Sequence, residues 1–188
     1  KLKMKKVLSL IIITLLLSCS SSTEENSNNN NGNNGSNNLT VTICNQTWML
    51  KNLQITTYRN GDIIPQVTDA TQWKNLTTGA WCYYNNDPST EATYGKLYNW
   101  YAVVDPRGLA PIGWHVPTDS EFNTLIESCL GGFGEAGGKM KESGTNNWDS
   151  PNTLATNSSG FTALPGGYRT FSGSFDYLRK QGNFWSTT

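Results

Sequence analysis

The sequence predicts an α+β domain carried behind an export signal and a flexible spacer. The stretch Gly113 to Leu130 (GWHVPTDSEFNTLIESCL) changes its hydrophobic period midway and carries a helix start at the change. Short alternating runs recur early and late in the chain, and Asn-Gly, Gly-Gly and Ser-Gly pairs punctuate them, the pattern of short strands joined by turns. The 188 residues include 7 Trp, 8 Tyr and 6 Phe, enough apolar area for one domain with a real core.

The chain opens with Lys1, Lys3, Lys5 and Lys6, followed by Val7 to Leu17 (VLSLIIITLLL). An apolar run of about 11 residues fits the central region of a signal peptide and is too short to span a membrane. Leu16-Leu17-Ser18-Cys19 has the spacing of a bacterial lipobox, so residues 1–19 read as a lipoprotein signal in which the Cys19 thiol receives a diacylglycerol and becomes the new N-terminus. By analogy with such lipoproteins, Ser20 at the next position argues for outer-membrane delivery, with the lipid as the membrane partner, and Glu24-Glu25 resembles an acidic tag for export to the cell surface. Residues 20–38 end in ENSNNNNGNNGSNN, which has no apolar residue to offset its ordering entropy and reads as a tether.

Removing the four lysines of the signal from fourteen basic residues leaves ten against fourteen acidic ones, a net charge of about −4. That balance argues against nucleic acid as a partner.

Residues 39–188 read as the folded domain. LTVTICN places Leu39, Val41 and Ile43 on one face of a strand, and QTWMLKNL continues it or begins a second one. Asn60-Gly61-Asp62 is a turn, and Pro65 demotes Ile63-Ile64 to an edge or loop. AWCYY alternates and is closed by the polar turn Asn85 to Ser89, while GKLYNWYAVV is apolar nearly all round and leans to a short buried helix. In the central stretch, Gly113 to Val116 reads as a short buried strand. Thr118 and Glu121 then form a capping box, Phe122, Leu125, Ile126, Cys129 and Leu130 make one apolar stripe, and Gly131-Gly132 end the helix. Gly131 to Lys139 reads as a mobile glycine-rich connection. Phe161 to Leu164, Tyr168 to Phe171 and Phe175 to Leu178 read as a small antiparallel meander, and the chain then stops at an aromatic pair as if cut short.

The blocks YGKLYNWYAVVDPRGLAPIGWHVPTDSEF, LGGFGEAGGKMKESGTNNW, SGFTALPGGYR and GNFWSTT, with NQTWMLKNL as an opening motif, resemble the Fibrobacter succinogenes major paralogous domain over nearly all of residues 39–188. That family is similar to the C-type lectin-like fold, also used by formylglycine-generating enzymes. The resemblance implies two helices flanking twisted antiparallel sheets and further strands after Thr188, commonly ending near a Cys. It makes that Cys the expected partner of Cys82, with Cys44 as the alternative within this chain. Cys129, on the helix stripe, reads as a buried small hydrophobe. Formylglycine generators use a close late cysteine pair, which Trp148 to Thr188 lacks, so that activity is not carried over.

The residue chemistry argues for binding rather than catalysis. His115 is the only histidine and no activated-nucleophile motif accompanies it. Gly132 to Gly137 satisfies G-x-G-x-x-G but follows a helix, the wrong context for a dinucleotide loop. Trp148-Asp149-Ser150-Pro151-Asn152 holds residues related to a lectin calcium site in the wrong order, so no metal and no cofactor is expected. Glycan binding without calcium fits aromatic faces set beside Asn and Asp side chains. Asn146, Asn147, Trp148, Asp149 and Asn152 are the first candidates, and Tyr83, Tyr84, Asn85, Asn86 and Asp87 the second. The expected function is a lipid-anchored surface module recognising glycans or a surface protein. A fimbria-like assembly subunit is the next reading, and an enzyme akin to formylglycine generators the last.

Overall fold

A computed structural model describes residues 39–188. The signal, Cys19 and the Asn-rich tether lie outside the described residues. The domain is α+β: short helices alternate with three separate two-stranded antiparallel pairs, joined by long stretches of irregular chain. The strands are β1 (Thr40–Ile43), β2 (Gln46–Met49), β3 (Trp81–Cys82), β4 (Leu97–Tyr98), β5 (Gly166–Arg169) and β6 (Phe175–Leu178). The helices are α1 (Ala70–Lys74), α2 (Glu91–Tyr94), α3 (Trp100–Val103), α4 (Asp119–Asn123, continued as a wider π turn over Thr124–Cys129) and α5 (Phe133–Met140).

The β1–β2 hairpin pairs Val41 with Trp48 and Ile43 with Gln46, and its inner face meets the apolar stripe of α4. Trp48 and Leu125 are fully buried there, joined by Leu130, Ala136, Met140 and Phe161, with Phe122 and Ile126 packed at the margin. The capping box forms as expected: the Thr118 hydroxyl accepts from the Glu121 amide at 3.2 Å, and the Glu121 carboxylate accepts from the Thr118 amide at 2.8 Å. His115 contributes a third contact through Nε2, 2.8 Å from Glu121 Oε1. Burial pushes the Glu121 carboxyl up, but the Thr118 amide and hydroxyl and the His115 ring outweigh it and hold the group below its ordinary value. Its contribution is therefore complete above the ordinary glutamate pKa of about 4.3 and is lost as pH falls through the lowered folded value. Thr118→Ala should cost about 1 kcal/mol in urea unfolding at neutral pH. A loss below about 0.3 kcal/mol would show that the cap is not formed in solution.

Several sequence expectations need correction. Gly113 to Val116 is not a strand: the Trp114 amide turns back to the Pro111 carbonyl, and Trp114 packs on the second core cluster without a ladder partner. GKLYNWYAVV is neither all strand nor all helix, since β4 gives way to α3 at Asn99. The Asn99 side-chain oxygen accepts from the Ala102 amide, capping the helix, and from the Ala80 amide beside β3.

The glycine-rich stretch expected to be a mobile connection is largely helix α5. Ala136 and Met140, one turn apart, are buried, and Glu135 and Lys139 pair across the outer face at 2.7 Å. Phe161 to Leu164 makes only a single bridge, Ala163 to Lys141, rather than a strand.

Cys129 is not an unpaired hydrophobe. It forms a disulfide with Cys44, closing 85 residues of sequence with Cα atoms 6.0 Å apart. Among the described residues Cys82 is the free thiol, buried, and burial pushes it up to about 11.

A second core cluster gathers Tyr58, Ile64, Trp81, Tyr98, Ala102, Val103 and Leu109. At its margin the side chain of Lys96 is 3 % exposed, paired with Glu91 and set over the Trp81 and Tyr83 rings at 4.7 and 5.3 Å. A third, smaller cluster joins Val67, Trp73, Ala80 and Cys82 to Phe175 of β6.

Candidate functional site

The β5–β6 hairpin and the 3-10 turn Tyr84–Asn86 enclose an open groove of about 490 Å³, lined by Tyr84, Tyr168, Phe175, Asp176, Tyr177, Leu178 and Lys180. That volume lies within the span of about 300–1,000 Å³ usual for small-molecule sites. Buried Tyr84 meets half-buried Phe175 at a ring separation of 5.4 Å and forms the floor. Phe175 is held from behind by the Arg169 guanidinium, which lies 4.8 Å from its ring and 4.4 Å from that of Trp73. Arg169 is fixed in turn by the carbonyls of Val67, Thr68 and Gly173, all of which accept from it.

The rim depends on an irregular backbone. Tyr168 pairs with Asp176 across the hairpin, so strict alternation would send Tyr177 to the opposite face from both. Tyr177 instead adopts φ +62°, and its ring stacks on Tyr168 with centroids 5.7 Å apart and planes 24° from parallel. A left-handed conformation at a bulky residue costs about 1–2 kcal/mol and persists only where the surroundings impose it. Arg179, also at positive φ (+64°), supplies that restraint. Its Nε donates to Asp149 Oδ1 at 2.9 Å and its terminal nitrogens donate to the carbonyls of Thr145, Asn146 and Trp148, while the Asp149 amide donates back to the Arg179 carbonyl at 2.7 Å.

The first candidates from the sequence are brought together, but the side chains of Asn147, Trp148, Asp149 and Asn152 are engaged within the protein. Trp148 is 7 % exposed and donates its indole N–H to the Ala163 carbonyl, so the expectation of an exposed stacking face there is corrected. Asn147 donates to the Glu142 carboxylate, and Asn152 donates to the carbonyls of Glu142 and Gly144. Asp149 serves the Arg179 clamp through its carboxylate and Asn146 through its main-chain carbonyl, while the Asn146 side chain is exposed. These residues hold the β6 end of the groove in place.

Of the second candidates, Tyr84 lines the groove. Tyr83 donates to Glu91, Asn86 donates to the Thr68 carbonyl, and Asp87 accepts from the Ser89 amide. Asn85 is exposed.

The groove residues that sequence reasoning passed over, Tyr168, Asp176, Tyr177 and Lys180, have their polar ends free. Among the described residues, none of their side chains takes part in a hydrogen bond or ion pair. Partial burial, and after it the charge of Asp176, push the Tyr168 hydroxyl up, so it remains a donor at neutral pH. Three aromatic residues in two short strands beside a polar turn, with acid and base interleaved in FDYLRK, were the available signal. Among the described residues, no group of three or more His, Cys, Asp or Glu side chains is placed to hold a metal ion.

The family model of the Fibrobacter succinogenes major domain matches residues 41–188. No curated protein and no solved structure matches significantly.

Proposed function

Because this chain belongs to the Fibrobacter succinogenes major domain family, we propose that it is a non-catalytic, cell-surface binding module that recognises glycans through the β5–β6 groove, in a C-type lectin-like setting without calcium. The observation that carries this reading is the contrast between two polar aromatic regions. Asn147, Trp148, Asp149 and Asn152 spend side-chain bonds within the protein, whereas around the groove two stacked Tyr rings stand beside a carboxylate and an ammonium with unspent bonding capacity. Stacked tyrosines offer an apolar face with hydroxyl tips, which suits the C–H face and hydroxyls of a pyranose ring. The lipobox at Cys19 and the tether behind it fit delivery to the outer membrane, with the acyl chains in the bilayer and the groove facing outward.

The test uses the full chain with Cys19→Ala, which removes the acylated thiol, against an immobilised glycan panel followed by calorimetry. Tyr168→Ala and Tyr177→Ala should each weaken binding by about 1–2 kcal/mol, roughly tenfold or more, while thermal melting stays near that of the parent. If no saccharide on the panel is retained, the glycan reading fails, and pulldown from outer membranes then tests a protein partner.

A further inference from the structure

Resting on the glycan reading above, we infer that the groove selects uncharged hexopyranosides and disfavours both acidic and amino sugars. Asp176 and Lys180 both line the groove, and neither is ion-paired among the described residues, to the other or to any third group. Covering either charge with a ligand carries a desolvation cost unless the ligand supplies its partner.

Neighbouring hydroxyls on one sugar meet both demands, because each hydroxyl donates and accepts. One can donate to the Asp176 carboxylate while the next accepts from the Lys180 ammonium. The Tyr168 hydroxyl adds a donor that stays protonated at neutral pH. The stacked Tyr168 and Tyr177 rings require a pyranose face rich in axial C–H bonds, as in β-linked glucose or galactose units.

A uronate or an amino sugar gains nothing comparable. A carboxylate drawn to Lys180 lies in the same small groove as Asp176, and an ammonium drawn to Asp176 lies beside Lys180, so each attraction comes with a like-charge repulsion. The groove has no net charge to reward a charged ligand. Neutral-sugar affinity should accordingly vary little with ionic strength, unlike binding driven by a surface of one sign.

The experiment is isothermal titration of the full Cys19→Ala chain with four probes at low and high salt: a β-glucan oligosaccharide, a β-galactan oligosaccharide, a galacturonan oligomer and a chitosan oligomer. The expected result is binding of at least one neutral oligomer with little salt dependence, and weaker binding of both charged ones. Asp176→Asn and Lys180→Met should each lower neutral-sugar affinity about tenfold, and Asp176→Asn should also raise galacturonan affinity. Thermal melts of both variants serve as the folding control. Tighter binding of galacturonan or chitosan than of the neutral oligomers, a steep salt dependence, or unchanged affinity in both variants overturns the selectivity while leaving glycan binding intact. Failure of all four probes, together with failure of the glycan panel, overturns the glycan reading itself.

Discussion

Gly167→Ala should cost the fold about 3 kcal/mol or more and abolish saccharide binding with it. Gly167 lies in β5 with φ +61°, a conformation that costs an L-residue with a Cβ about 1–2 kcal/mol. A Cβ there would also stand 2.5 Å from the Asp176 carbonyl oxygen, 2.7 Å from the Leu178 amide nitrogen and 2.8 Å from Cε2 of Tyr84. The first two are backbone atoms of the facing strand, so relief requires opening the hairpin. The third belongs to the buried floor of the groove, so relief there moves Tyr84.

Gly61→Ala is the matched control. Its φ is +90° and nothing lies within 4 Å of the added carbon, so only the conformational part of the penalty, about 1–2 kcal/mol, should appear. Urea midpoints with unchanged m-values separate the two. Equal losses in both variants would show that β5 and β6 are not in this register.

Breaking the Cys44–Cys129 bridge should be comparably damaging. A cross-link spanning 85 residues removes about 4–5 kcal/mol of denatured-chain entropy, and measured losses for native bridges run at about 2–5 kcal/mol. The bridge ties the turn of the β1–β2 hairpin to the end of α4, so reduction also loosens the two elements that enclose Trp48 and Leu125. A Cys44→Ala, Cys129→Ala double variant of the Cys19→Ala chain should lose about 2–5 kcal/mol relative to its parent in urea unfolding without reductant. In that parent, alkylation after unfolding without reductant should modify Cys82 alone, and in the folded state Cys82 should resist, because burial holds its thiol protonated. Three alkylated cysteines, or a double variant as stable as its parent, would rule the bridge out.

Where the sequence was a good guide, the information was local. Thr118 and Glu121 interact with each other, and the α4 stripe follows from spacing alone, so both could be read without knowing what they touch. The alternation on both sides of Cys44 was legible for the same reason, but it left open whether one strand continued or a second began, which the β1–β2 pairing decides. Helix α5 was not, because Gly134, Gly137 and Gly138 each cost about 1 kcal/mol in a helix, and distant contacts overrule that propensity. Gly138 shows the reason: a Cβ there would lie 2.5 Å from the Leu154 carbonyl, a contact with a segment sixteen residues away that no local pattern reveals.

Trp148 misled in the opposite sense. Its polar neighbours suggested exposure, but its indole is claimed by the Ala163 carbonyl. The cysteine pairing was hidden because Cys129 also satisfies the helix stripe, and a buried position on a stripe does not distinguish a thiol from a half-cystine. The groove was half visible, with Tyr84 on the second set of candidates. The decisive feature, the positive φ that turns Tyr177 onto Tyr168, is a property of backbone geometry that composition does not encode.

Two guanidinium forks set the shape of that groove by gripping main-chain oxygens: Arg169 on Val67, Thr68 and Gly173, and Arg179 on Thr145, Asn146 and Trp148. A planar guanidinium donates to several carbonyls at once, so each fork fixes the segments it spans relative to one another. The tyrosine platform should therefore depend on both forks, and lysine, unable to span the carbonyls as a planar fork, would not substitute for either arginine.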